Sequence, residues 1–322
     1  MVYVFSISEV RLDALPMSRR LRIIVIHGQD ESFMPDCAPP LAHITPVCQS
    51  LPAQACDSHF HVFGPADVFP YADGRPYTPP DAPFAQLRRL HRQLGFSRGV
   101  IVQPGCHGYD MSATLDALDK GAGQYRAIAL VPPDVSEADL AAMDDHGVRG
   151  VRYNFVAHLA NGGWDELIQV VPRIAPFGWH VCIHSDQASL PELLPRLKDL
   201  PVPFVIDHMG RVAATQGTDN PVFQALLTLR DYPNAWVKIS GLDRVSSIGR
   251  RPFADAEPMV SALVQTMPER LLWGTDWPHP NVAGDMPDDG ELLNTFLRLC
   301  PDHDVQRQIL VDNPHTLYRF GS

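Results

Sequence analysis

Several things are scarce or missing in this chain of 322 residues, and each absence removes a class of function. No apolar run reaches the roughly 20 residues that a membrane-spanning helix needs. Only 26 basic residues stand against 37 acidic ones, a net charge of -11, so neither a nucleic-acid-binding surface nor a membrane partner is expected. A small anionic substrate remains compatible with that balance, because a few arginines can dominate the field inside a pocket. The six cysteines (Cys37, Cys48, Cys56, Cys106, Cys182 and Cys300) are scattered, with no Cys-x-x-Cys pair. A disulfide framework and a thiolate zinc cluster are both unsupported, and a reducing, cytoplasmic setting is the expectation. No Gly-x-Gly-x-x-Gly follows an early strand, internal repeats are not visible, and nothing from residue 55 onward is of low complexity.

What is present falls into two parts. Residues 1–50 read as an N-terminal extension or linker. Arg19 to Ile26 pairs a charged stretch with an apolar one, but the apolar part is short and His27 follows at once, a poor fit to a signal peptide. The Pro-rich run from Met34 to Pro52 has no period, and an over-extended start with Met34 as the true initiator is one reading of it. Residues 51–322 read as a single catalytic domain.

In that domain short β-branched runs alternate with amphipathic stretches. Candidate strands are Cys56–Phe63, Gly99–Gln103, Arg126–Val131, Gly150–Phe155, His180–Ser185, Phe204–His208, Trp236–Ser240 and Leu271–Asp276. Candidate helices cover 84–94, 112–120, 137–146, 164–177, 190–200, 221–232 and 256–267, with two more at 290–300 and 302–311; Asp110, Ser136 and Ser189 are plausible caps. Alternating strands and helices imply parallel pairing through right-handed crossovers. The predicted architecture is an α/β fold, a (β/α)8 barrel, with a doubly wound open sheet as runner-up.

The strand ends carry the chemistry. In Asp57-Ser58-His59-Phe60-His61, strand alternation predicts that His59 and His61 share one face, with Ser58 and Phe60 on the other. Two imidazoles side by side make half of a metal site or a polarising pair for a carbonyl. Further polar residues fall at later strand ends: Gln103 to His107, Arg152 to Asn154 followed by His158, His184, Asp207-His208, Lys238 to Arg244, and Thr275-Asp276. Singly, each is an ordinary buried polar group; together they predict a site at the C-terminal rim of the barrel.

These texts carry a resemblance. Asp-Ser-His-Phe-His-Val-Phe-Gly-Pro, Arg75-Pro-Tyr-Thr-Pro, Gln-Pro-Gly-Cys-His-Gly, Gly150-Val-Arg-Tyr-Asn-Phe, Asp207-His-Met-Gly-Arg and Trp273-Gly-Thr-Asp-Trp-Pro-His-Pro stand in order. The chain from about residue 55 resembles the amidohydrolase superfamily, in the lactone-hydrolysing branch that holds pyrone-dicarboxylate lactonases and sulfomuconolactone hydrolases. The resemblance implies Asp276 as general base toward a lactone carbonyl, with His59, His61 and His208 polarising it. It also implies anion binding by Tyr77, Arg152 and Arg244. Each of the last three has an ordinary alternative, a packed aromatic or a structural salt bridge. Gly105, His158 and His184 stand where the dicarboxylate lactonase has serine, arginine and tyrosine, so two anion contacts differ; His158 keeps a place in the expected substrate-binding set.

That lactonase implies a metal-free site. His184, however, restores a strand-five ligand of the metal-using members, and His59, His61, His184 and Asp276 make a donor set suited to one Zn²⁺. The expected reaction is hydrolysis of a muconolactone-type, sulfonated muconolactone or pyrone-dicarboxylate-like lactone from aromatic degradation. A metal-dependent non-oxidative decarboxylase is the alternative, as are a sugar-lactone hydrolase or isomerase. Cys106 and His107 are read as structural, Arg211 is a lesser candidate for the anion site, and a homo-oligomer is left open.

Overall fold

The computed structural model describes residues 37–156 and 163–321. Eight parallel strands follow one another in sheet order. They are β1 (Cys56–Phe60), β2 (Arg98–Val102), β3 (Tyr125–Ala129), β4 (Val148–Asn154), β5 (His180–His184), β6 (Phe204–Ile206), β7 (Ala235–Lys238) and β8 (Leu271–Leu272). The seam between β8 and β1 is closed beyond the ends of β8. Ser58 N donates to Trp273 O at 2.8 Å, Asp276 N to His59 O at 2.8 Å and His61 N to Trp277 O at 2.8 Å. The fold is the expected (β/α)8 barrel.

Helices fill the crossovers: α1 (Phe84–Leu94), α2 (Ser112–Lys120), α3 (Glu137–His146), α4 (Trp164–Ile174), α5 (Leu190–Lys198), α6 (Pro221–Leu227), α7 (Leu242–Val245) and α8 (Glu257–Thr266). After β8 come α9 (Asp289–Leu299), α10 (His303–Arg307) and α11 (Asn313–Tyr318). Periodicity located these elements well, and the differences are local. The segments expected to run to 177 and 232 tighten into 3₁₀ turns after Ile174 and Leu227. Ser136 caps α3 by accepting from Asp139 N at 3.1 Å. Ser189 does not cap α5; Asp186 accepts from the amides of Ala188 and Ser189 instead, at 3.1 and 2.9 Å.

Apolar side chains sort into two sets. One lies between sheet and helices, and includes Ile101, Val151, Val181, Leu167 and Leu263. The other fills the barrel interior with Cys56, Val100, Val102, Ile128, Cys182, Val205 and Trp236, closed by Tyr318 and Phe320 at the chain's end. Alternation along β2 shows the physical basis: Val100 and Val102 point inward, Ile101 outward. Part of the Pro-rich stretch lies along α9, where the Thr45 amide and hydroxyl donate to Asp288 at 3.0 and 2.9 Å. No helix among the described residues is long and apolar enough to cross a membrane.

His180 opens β5 inside this dry interior, its ring 5.4 Å from that of Tyr318. Burial, then the Lys238 charge, pushes its pKa down to about 3 from 6.5. The folded state therefore holds His180 neutral in a window where the unfolded chain binds a proton, and stability is full above pH 6.5 and falls below it. Between pH 6.5 and pH 5 the loss from this one group is roughly 2 kcal/mol. Thermal melts at pH 7.5 and 5 check this: His180→Phe, which keeps the ring contact, shows a smaller acid-induced fall in Tm than the parent. An equal fall in both would reject the assignment.

Candidate active site

The site begins at β1, where regular alternation fails. Pairing with β2 shifts register between Asp57 and Phe60. Ser58 stays on the interior side with Cys56, at 3.8 Å between Oγ and Sγ, yet His59 also turns inward. The expected opposition of Ser58 to the histidines is thus corrected by a bulge, which re-aims the strand at its functional end. Phe60 does point outward, edge-on to His91 with centroids 5.0 Å apart. Asp57 locks the bulge from behind, accepting from His59 N at 3.1 Å, Thr275 N at 3.0 Å and Thr275 Oγ1 at 2.7 Å.

Across the seam stands Asp276, whose backbone is left-handed with φ of 66°. A non-glycine residue held there is a sign of local constraint. The two chains can meet so closely because residue 274 is glycine: a Cβ there would lie 2.6 Å from His59 N. Asp276 Oδ1 then sits 3.5 Å from His59 Nε2, 3.4 Å from His61 Nε2 and 3.8 Å from His208 Nε2. Burial would raise its pKa, but His208, the Arg244 guanidinium and the contacts with His61 and His59 hold the carboxyl well below the usual range. It is a carboxylate at neutral pH.

The histidines are not equivalent. His61 Nδ1 lies 2.7 Å from Val102 O, and a carbonyl only accepts, so Nδ1 carries the proton and Nε2 presents its lone pair. His208 Nδ1 pairs with Ser240 Oγ at 2.9 Å, while its Nε2 faces the Asp276 carboxylate. With the serine hydroxyl donating, the carboxylate favours the proton on Nε2. Gly241 allows this approach, since a Cβ there would fall 2.8 Å from His208 Nδ1. His184 Nδ1 bonds Asn154 Oδ1 at 2.8 Å. Burial is the first cause that lowers all three shifted imidazoles: His208 to about 4, His59 and His184 well below 6.5.

Beneath His59 lies a network that sequence reasoning did not assign. Asp207 accepts from Lys238 Nζ at 3.1 Å, Arg152 Nε at 3.1 Å and Cys182 Sγ at 3.0 Å, and lies 3.4 Å from His59 Nδ1. Lys238 Nζ is also 3.1 Å from His59 Nδ1. Lys238 is fully buried; the available signal was a lysine ending the apolar strand Ala-Trp-Val-Lys, which needs an anion nearby.

Above the cluster opens a cavity of about 490 Å³, lined by His61, Tyr77, Arg152, His184, His208, Arg211, Arg244 and Asp276 among others. Most of the expected substrate-binding side chains are therefore brought together; His158 lies outside the described residues. Tyr77 is buried, 6.3 Å from the Phe63 ring, and burial raises its pKa well above 10. Arg244 reaches the cavity but is spent elsewhere. Its Nε and Nη2 donate to Asp276 Oδ2 at 3.1 and 3.0 Å, Nη2 also to Pro280 O at 2.7 Å, and Nη1 to Asn281 O at 3.2 Å. Cys106 and His107 take structural places: the thiol is fully buried, and His107 Nε2 accepts from Gly64 N at 3.3 Å.

The donor set fits a single cation. His59 Nε2 is buried without a hydrogen-bond partner. His61 Nε2 and Asp276 Oδ1, both acceptors, converge at 3.4 Å, an arrangement that a shared positive centre stabilises. Among the described residues, ligand atoms within 4.8 Å of one another occur in His59, His61 and Asp276, and again in His59, Asp207 and His208. His184 belongs to neither group, so the four-ligand set expected from sequence meets as three plus a neighbour.

The amidohydrolase family profile matches residues 56–320. A 2-pyrone-4,6-dicarboxylate hydrolase of Comamonas testosteroni is 44% identical over 277 residues, 83% of this chain and 91% of that protein. A 4-sulfomuconolactone hydrolase of Hydrogenophaga intermedia is 40% identical over 288 residues, covering 88% and 95%. A crystal structure of an Agrobacterium tumefaciens protein in its apo form superposes with a TM-score of 0.75 at 28% identity, covering 85% of this chain and 99% of that one.

Proposed function

Because the chain belongs to the amidohydrolase family, we propose that it is a carboxylic ester hydrolase that opens the ring of a small anionic lactone in aromatic degradation. One observation carries the reading. Asp276 is gripped by Arg244 at Oδ2 while Oδ1 faces three imidazoles at the floor of an arginine-lined cavity. A carboxylate pinned on one oxygen, with the other held among imidazoles at the cavity floor, is a positioned general base.

Water attacks the lactone carbonyl carbon and gives its proton to Asp276 Oδ1. Negative charge develops on the carbonyl oxygen, where His208 Nε2–H donates to it. When the ring C–O bond breaks, the departing enolate or alkoxide oxygen takes the proton back from Asp276, and the product is a ring-opened carboxylate. Arg152 orients the substrate's acidic group through its outer nitrogens, its Nε being held by Asp207. Tyr77 covers the lactone from the opposite loop. A zinc ion held by His59, His61 and Asp276, with His184 as a fourth donor, would supply Lewis-acid polarisation of the carbonyl.

Elemental mass spectrometry on protein purified without added metal, with assays on sulfonated muconolactones, pyrone dicarboxylates and neutral sugar lactones, tests both levels. The expected result is about one zinc per chain, lowered by His184→Tyr, with hydrolysis of the anionic lactones. Activity that survives chelation would remove the zinc and leave Asp276 as sole base. Release of CO2 from an aromatic or enoic acid, without lactone opening, would replace the hydrolase reading by a decarboxylase.

A further inference from the structure

Arg244 fixes the base only while its guanidinium faces Asp276, and a second carboxylate competes for it. Its Nε lies 3.1 Å from Asp276 Oδ2 and 3.2 Å from Oδ2 of Asp243, its neighbour in the chain. The loop after β8 decides between them. Pro280 O accepts from Nη2 at 2.7 Å and Asn281 O from Nη1 at 3.2 Å, so two carbonyls steady the fork while it grips Asp276.

That loop is not one the chain adopts unaided. Asp276, His279 and Asn281 all have left-handed backbone, with φ of 66°, 60° and 58°, and none is glycine. His279 also precedes Pro280, a position that favours extended backbone. Such a conformation persists only where its surroundings over-determine it. His279 supplies the tie. Its amide donates to Asp276 O at 2.8 Å and its ring Nε2 to Asp289 Oδ1 at 3.0 Å, both side chains being buried. Its Nδ1 has no hydrogen-bond partner among the described residues, so the bond to Asp289 is the polar anchor of the ring. Asp289 is anchored in turn. It opens α9 directly after Asp288, which caps that helix by accepting from Gly290 N at 3.0 Å and Glu291 N at 3.1 Å. His279 is not among the described residues that line the cavity.

We infer that His279 is a positioning residue: its bond to Asp289 ties the β8 loop to α9 and, through Pro280 O and Asn281 O, aims Arg244 at Asp276 rather than at Asp243. For its effect on turnover the inference rests on the lactone-hydrolase reading; for the aim of Arg244 it does not.

Two readouts keep these apart. In the ligand-free protein, the Arg244 Nε–H resonance, identified by its loss in Arg244→Met, is protected from solvent exchange. In His279→Leu it should exchange at least about tenfold faster. With lactone as substrate, His279→Leu should lower kcat about 30-fold while KM moves less than about threefold. His279→Gln, whose amide can still donate to Asp289, should return kcat to within about threefold of the parent. Because His279→Leu strands a buried carboxylate, the double variant His279→Leu, Asp289→Leu serves if the single one fails to fold, with the same losses expected. The decisive comparison is made in the Arg244→Met background, where His279→Leu should cost no further kcat. An equal loss in both backgrounds, an unchanged Nε–H exchange rate, or a kcat within threefold of the parent overturns the assignment. If the parent opens no lactone but Nε–H protection still depends on His279, the hydrolase reading fails and the positioning role stands.

Discussion

Asp276→Asn lowers kcat for lactone opening by about 10³- to 10⁴-fold and leaves the barrel folded. Asparagine keeps the shape of the side chain and can still meet Arg244 through its carbonyl oxygen, but it cannot accept a proton from water. The backbone accommodates this variant. Residue 276 sits at a φ of 66°, a conformation that asparagine tolerates better than most residues, and its amide keeps the bond to His59 O. Tm should therefore stay within a few degrees of the parent while turnover collapses, with circular dichroism melts and steady-state kinetics on the same preparation as the check. A kcat within tenfold of the parent would remove Asp276 from the mechanism.

The second large effect lies below the site and is one of stability. Asp207→Ala deprives the Lys238 ammonium and Arg152 Nε of their common carboxylate in a fully buried position. Burial raises the Asp207 pKa, but Lys238, His59 and Arg152 together hold it well below the carboxylate range, so the native network contains a real anion. Removing one partner of such a network strands the other charges, at a cost of about 3–5 kcal/mol. For a chain of this size Tm falls by on the order of 10 °C. The double variant Asp207→Leu, Lys238→Met removes the carboxylate and the fully buried ammonium together, leaving only Arg152 unpaired, and should recover part of the loss. A single variant that melts with the parent, or a double variant that melts lower than the single, would contradict the assignment.

How much of this was legible in the sequence varies with the range of the interaction. The barrel was legible because each strand is a short apolar run and each crossover helix repeats every three to four residues, both local signals. His59, His61, His208 and Asp276 were legible because a polar residue at the end of an apolar strand is conspicuous. The bulge at Ser58 was not, since alternation assumes regular pairing and the register shift is set by β2, some forty residues away. Arg244 shows the same limit differently. Its presence near the site could be read, but not that Asp276, Pro280 and Asn281 would take four of its five N–H donors. Lys238 and Asp207 meet across adjacent strands, and only the register Ile206 to Val237 brings them side by side.

The closure of the barrel has a consequence for how such a protein can diversify. Because β8 has two residues, the last strand pair is completed by the amides of Asp276 and His61, the same residues proposed as the base and its neighbour. Insertions or deletions between Trp273 and Trp277 would uncouple wall from chemistry in one step, and so would a side chain at Gly274. New substrate preferences therefore arise more readily elsewhere on the rim, as in the turn after β2, which carries no part of the seam. The reaction type is inherited with the staves of the barrel, while the choice of molecule is left to the loops.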